Sequence, residues 1–343
     1  MGSTPEARPG QRAGPRDRDR AVSTVLDVAL CMLLVSASVL LVAAYLSLDD
    51  DGIEPELADQ TAQTIGSSTT TVEYSIADVA DDSDVAFENA HYDDAAYERV
   101  THGTLAELLT SAVAATVRVD GERVSEAGTH FAAGVDRNVQ GELTGASENT
   151  QIWARWEPYD GATIESELTV GNAPPSDADV SSVTKRVPSQ QTELRDDEVS
   201  GLYDVDDRSF EPTADLLAER IVDSYFPERA TTVALQSDDL ERDLAVYRYL
   251  QFGAAADDAL TAADLEEGAP LNRSVADVKT ANERLASNLS TVIEADLEDA
   301  YQSDVEGIIA AADDDAAAQD ELDAFLAEEL QIGDVTLTVQ TWE

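Results

Sequence analysis

The most uniform stretch of the chain runs from Val28 to Leu48, VALCMLLVSASVLLVAAYLSL, 21 residues without a charge. At 1.5 Å per helical residue it matches a bilayer core of roughly 30 Å, and it predicts one transmembrane helix. Beyond it the pattern alternates between two periods. Ile53–Ile65 reads as a helix, Thr69–Ile76 as a strand, and Thr104–Ala115 as an amphipathic helix with Leu105, Leu108, Leu109 and Val113 on one face. Asp120-Gly121 between two alternating triplets, 117–119 and 122–124, predicts a hairpin. A helix over 127–143 and strands over 150–157, 163–170 and 180–187 follow. Trp153 and Trp156 stand three apart on their strand, so at most one faces the core.

From Pro188 to Glu211 the apolar residues thin out and no period persists, which predicts a linker or long loop. The remainder reads as helical: 212–226 stopped by Pro227, 238–263, and 274–330 interrupted at Asp313–Asp315. Val275, Val278, Leu285, Leu289 and Val292, then Leu297, Tyr301, Val305 and Ile308, form its apolar face. Asn282 and Asp296 break the a/d pattern, which favours packing within the chain over a coiled coil with a partner. Residues 335–342, VTLTVQTW, alternate and predict a strand that joins the sheet. The expected fold class is therefore α+β: a leader (1–20), a membrane helix (21–48), an α+β lobe (49–187), a linker (188–211) and a mainly helical lobe (212–343).

Charge adds a location to this outline. The 71 acids and 21 basic residues leave a formal charge of −50. The leader carries five arginines and a net +2, whereas residues from Asp49 onward carry −51. Arginines before the apolar run and Asp49-Asp50-Asp51 after it place the N terminus in the cytoplasm and the remainder outside. The lipid bilayer is thus the first expected partner; nucleic acid is excluded by the want of clustered Lys and Arg. An acid excess with only two lysines, Lys185 and Lys279, resembles proteins of extreme halophiles, particularly haloarchaea. Such surfaces stay solvated where salt screens repulsion.

Residues 18–27, RDRAVSTVLD, followed by the long apolar helix, resemble the class III signal of archaeal type IV pilins and pilin-like proteins. Arg20, Ala21, Val22, Ser23 and Val25 match the haloarchaeal form RAVSPVIG; Thr24 replaces Pro, and Leu26-Asp27 replaces Ile-Gly. The resemblance covers about residues 18–48. It implies a cytoplasm-facing prepilin peptidase that cuts just before Ala21 or between Ala21 and Val22, and pilin-like subunits as partners. It also implies an assembly role for Asp27, whose carboxylate could neutralise a neighbour's α-amino group within a filament core. The competing reading of Asp27 is a boundary acid that reaches the headgroups. The implied function is a single-span cell-surface subunit, structural or accessory, of a type IV pilus-like or secretion-type assembly; the alternative is a membrane-anchored extracellular binding protein.

No catalytic motif stands out: GxSxG, a P-loop and GxGxxG are missing, and Cys31, within the apolar run, is the single cysteine. Neither an enzyme nor a cofactor is expected. His91, Asp93, Asp94, Glu98 and His102 lie within twelve residues but match no metal-ligand spacing, and His130 is isolated. Asn272-Arg273-Ser274 and Asn288-Leu289-Ser290 have the form of glycosylation sequons, with Asn272 in an expected loop and Asn288 on an expected helix.

Overall fold

The computed structural model describes residues 55–342, apart from 82–85, 88–91, 144–148, 190, 204, 206–207 and 258. The membrane segment, the leader and the processing candidates Arg20, Ala21, Val22 and Asp27 lie outside the described residues, as does His91. Among the described residues no helix is long and apolar enough to cross a membrane.

The fold is α+β. Helix α1 (Pro55–Ser67) leads into a two-stranded antiparallel ribbon, β1 (Thr69–Ser75) with β2 (Glu98–Thr104), in which Tyr74 stands opposite Arg99. Helix α2 (Leu105–Ala115) starts at once, because Thr104 accepts from the Glu107 N–H while the Glu107 carboxylate accepts from the Thr104 N–H. Leu105, Leu108, Leu109 and Val113 are all buried, as their spacing predicts. Strands β3 (Arg118–Val119) and β4 (Glu122–Arg123) close a hairpin at Asp120-Gly121, both at positive φ (47° and 79°), the backbone of a type I′ turn. Helix α3 (Ala127–Glu142) then packs beside α2 and under the ribbon.

Strands β5 (Thr150–Trp156), β6 (Ile164–Gly171), β7 (Val180–Pro188) and β8 (Asp334–Trp342) complete a six-stranded antiparallel sheet of order β4-β3-β6-β5-β8-β7. The last strand of the chain joins the sheet as expected, and it enters between β5 and β7. Val170, Ile152, Val339 and Val183 share one rung across four strands. Alternation turns Trp156 inward at 2% exposure, its indole N–H donating to the Ile332 carbonyl at 2.8 Å, and leaves Trp153 46% exposed on the other face.

The helical part consists of α4 (Glu211–Tyr225), α5 (Glu228–Leu235), α6 (Leu240–Ala255), α7 (Val278–Ala311) and α8 (Asp315–Glu329). Three details depart from expectation. Pro227 ends α4 but also stands at the N-cap of α5, where its fixed φ suits a helix start. The expected helix over 238–263 stops at Ala255, where the chain turns through Asp257 at φ 54° and folds Leu260 against Gly253, before a 3-10 turn at Ala262–Leu265. Val275 lies ahead of α7 and is 60% exposed, while Ile293 rather than its neighbour Val292 joins the buried face of that helix.

The segment 188–211, expected to separate two lobes, lies within a single compact unit spanning Glu54–Glu343. It contains a short helix, Asp196–Val199, and buries Val199, Tyr203 and Phe210. Few apolar residues suffice there because these three are large or fully enclosed. The 34-residue α7 packs along α4 within the same unit, as its broken heptads predict. Both polar interruptions make contacts to other elements: Asn282 receives the Tyr249 hydroxyl of α6, and Asp296 receives donors from the β5–β6 loop.

Candidate functional site

A cleft of about 580 Å³ is bounded by the β1–β2 ribbon, α2, α3 and the α4–α5–α6 helices. Its floor exists because two helices approach closely. Gly128, in the first turn of α3, lies so near the end of α2 that an added Cβ would stand 1.7 Å from the Ala115 carbonyl oxygen. One wall is aromatic: Tyr74 and Phe131 meet at 5.1 Å, Tyr225 and Phe252 at 5.5 Å, and Phe226 and Phe252 at 5.7 Å. The aromatic wall continues into a stripe of α6, Glu241, Leu244, Ala245, Arg248 and Phe252, at the spacing of one helix face.

The ribbon is pinned to α6 by polar contacts at the rim. Arg99 pairs with Glu241 at 3.0 Å and also donates to the Ala96 carbonyl at 2.7 Å. Beside it Tyr92 donates to Asp243 at 2.8 Å. Burial pushes the Tyr92 phenol up to about 12, with Asp243 adding to the effect, and burial also raises the Asp243 carboxyl against the pull of that hydrogen bond.

Arg248 lines the same cleft. Its guanidinium lies over the Phe226 ring at 5.6 Å and donates to the Tyr225 carbonyl at 3.2 Å. Its side chain is exposed to solvent, and the protein atoms beside it desolvate it only in part. That desolvation lowers its pKa from the ordinary arginine value, opposed by the neighbouring Tyr225, Tyr249 and Tyr74. No carboxylate pairs with it among the described residues. Glu241, already engaged by Arg99, is the one acidic residue among the described lining residues. In a chain with 71 acids, this cleft is a place of positive charge. A smaller cavity of about 110 Å³ adjoins it through Ser111, Ala115, Tyr225 and Arg248.

The residues singled out from sequence lie elsewhere. Asp93 and Asp94 precede and open a short helical turn, His102 Nδ1 is 3.2 Å from Thr71 Oγ1, and His130 is 3.9 Å from Asp78. No group of three or more His, Cys, Asp or Glu among the described residues is arranged to hold a metal ion. Asp314, in the expected interruption, caps α8 by accepting from the Ala317 N–H at 2.9 Å. Asn272 sits in a turn before α7, donating to the Leu265 carbonyl at 3.1 Å and accepting from the Ser274 N–H at 3.0 Å. Asn288 sits within α7 and donates to Ala256 and Asp257 carbonyls at 3.3 and 3.4 Å.

Arg99 and Arg248 did not stand out in the sequence. One signal was present: Arg248 stands at i+4 from Leu244 and i−4 from Phe252, a charge between two apolar residues of one helix stripe.

A family model described as a family of unknown function, DUF7284, matches residues 26–342. The chain belongs to that family. The DUF7284 match takes in the uncharged 28–48 run together with every described element of the fold. No curated protein and no solved structure matches the chain.

Proposed function

We propose that this DUF7284 protein is a single-span, pilin-like cell-surface protein. Its N terminus faces the cytoplasm, and residues 49–343 form an extracellular structural or accessory subunit of a type IV pilus-like or secretion-type assembly. The observation that carries the reading is the order of parts in residues 18–48: an arginine-rich leader, the Arg20-Ala21-Val22-Ser23 motif, then 21 uncharged residues. The family match supports treating the apolar run as part of the same unit as the folded domain. Partners under this reading are the bilayer, a prepilin peptidase and other pilin-like subunits.

A second reading, a membrane-anchored extracellular binding protein without a filament role, draws support from the Arg248 cleft. N-terminal sequencing of the mature protein separates the two. A start at Ala21 or Val22 is expected from pilin-like processing, and an intact leader would favour the plain anchor. Protease added to intact cells should digest residues 49–343 and spare the leader; full protection of the folded domain would reverse the orientation.

A further inference from the structure

We propose that the cleft between the β1–β2 ribbon and α6 binds a small carboxylate with an apolar body, the carboxylate on Arg248 and the body against Phe131, Leu244 and Phe252. Three observations converge on this class of ligand. The cavity of about 580 Å³ falls within the ~300–1,000 Å³ typical of small-molecule sites. Its wall is aromatic and aliphatic, suited to an apolar body. Its one unpaired charge is the Arg248 guanidinium, since Arg99 and Glu241 satisfy each other at 3.0 Å.

Acids are so abundant in this chain that a paired arrangement was readily available, yet Arg248 rests on a ring face and one backbone carbonyl. The guanidinium has five N–H donors, and the hydrogen bond to Tyr225 uses one nitrogen, which leaves an edge for a bidentate acceptor. A single guanidinium balances a monovalent carboxylate, whereas a divalent phosphate would retain excess negative charge in the cleft. Binding here does not depend on how the N terminus is processed, so either property can fail alone.

The test uses the full chain in amphipol at molar KCl, titrated calorimetrically with 3-phenylpropionate and with its neutral isostere 3-phenylpropanamide. The acid should bind about tenfold or more tightly than the amide, the scale of one charge-assisted hydrogen-bond pair. Arg248→Met should reduce acid binding to the level of the amide, and Arg248→Lys should retain part of the difference, with circular dichroism verifying the fold of each. Equal affinity for acid and amide, no binding of the acid up to ~10 mM, the weak limit for a specific site, or wild-type affinity in Arg248→Met would each overturn the proposal. Should Arg248→Met not fold, phenylglyoxal labelling of the wild type decides. The acid, and not the amide, should slow modification of Arg248 as read by mass spectrometry; equal rates overturn the assignment.

Discussion

Asp296 Oδ2, on the long helix α7, accepts the Thr163 N–H at 2.8 Å and the Thr163 hydroxyl at 2.6 Å. The Tyr159 hydroxyl reaches the same oxygen at 3.2 Å, and burial together with the Asp296 carboxylate pushes that phenol well above its ordinary pKa. The long helix α7 is thereby fastened to the β5–β6 loop. Four turns earlier, Asn282 repeats the device, accepting from Tyr249 at 2.7 Å and donating to the Phe226 carbonyl at 2.9 Å and to Asp223 at 3.1 Å. Asp296→Ala and Asn282→Leu should each cost about 2–4 kcal/mol, because donors and acceptors around them are left unpaired. Denaturant midpoints in molar salt measure this; a loss below about 0.5 kcal/mol for both would show that water replaces the side chains.

Gly128 and Gly141 lie on the same helix and should respond in opposite directions. An added Cβ at Gly128 collides with the Ala115 carbonyl, so Gly128→Ala should destabilise by about 1–3 kcal/mol or more through forced separation of α2 and α3. Nothing lies within 4 Å of the corresponding Cβ at Gly141. Gly141→Ala should stabilise by about 0.5–1 kcal/mol by lowering the backbone entropy of the unfolded chain. Melting temperatures that move together would contradict the close helix approach.

Two carboxylates should leave opposite marks on the acid limb of stability. The Thr280 N–H and then the Thr280 hydroxyl hold the Asp277 carboxyl below its ordinary range at the start of α7. Its contribution is therefore present above the unfolded pKa near ~4 and lost as pH falls through the lower folded value. Burial raises Glu157, and nearby Asp160 and Glu165 add to this against Arg155. Folding loses stability as pH rises from the unfolded pKa through that raised value. Asp277→Asn should flatten the decline on acidification, and Glu157→Gln should gain stability at neutral pH but not at pH values where the wild-type group is protonated. Thermal midpoints followed against pH resolve both; an unchanged neutral-pH midpoint in Glu157→Gln would mean that Arg155 at 2.9 Å compensates the burial.

The −51 carried beyond residue 48 predicts strong salt dependence. Lowering salt from molar to ~0.1 M lengthens the Debye screening to about 10 Å and brings surface carboxylates into mutual repulsion. The melting temperature of the chain should fall steeply across that range. A flat dependence would contradict the halophilic character expected from composition.

The sequence by itself determined where most elements lie, because period and punctuation are local. Thr104 and Glu107 cap α2 from three residues apart, Asp120-Gly121 shapes its hairpin through its own φ angles, and Trp153 and Trp156 are assigned to opposite faces by strand alternation alone. Tertiary structure decided the rest. Val199, Tyr203 and Phe210 turn an apolar-poor segment into core because burial depends on what packs over a residue, not on the density of its neighbours in sequence. Asn282 and Asp296 look like defects in an apolar stripe until Tyr249 and Thr163, 33 and 133 residues away, supply their partners. The cleft was the least legible feature. Its walls come from segments as distant as Tyr74, Arg99, Gly128 and Arg248, and only folding sets the Arg248 guanidinium beside an aromatic wall with no carboxylate partner among the described residues.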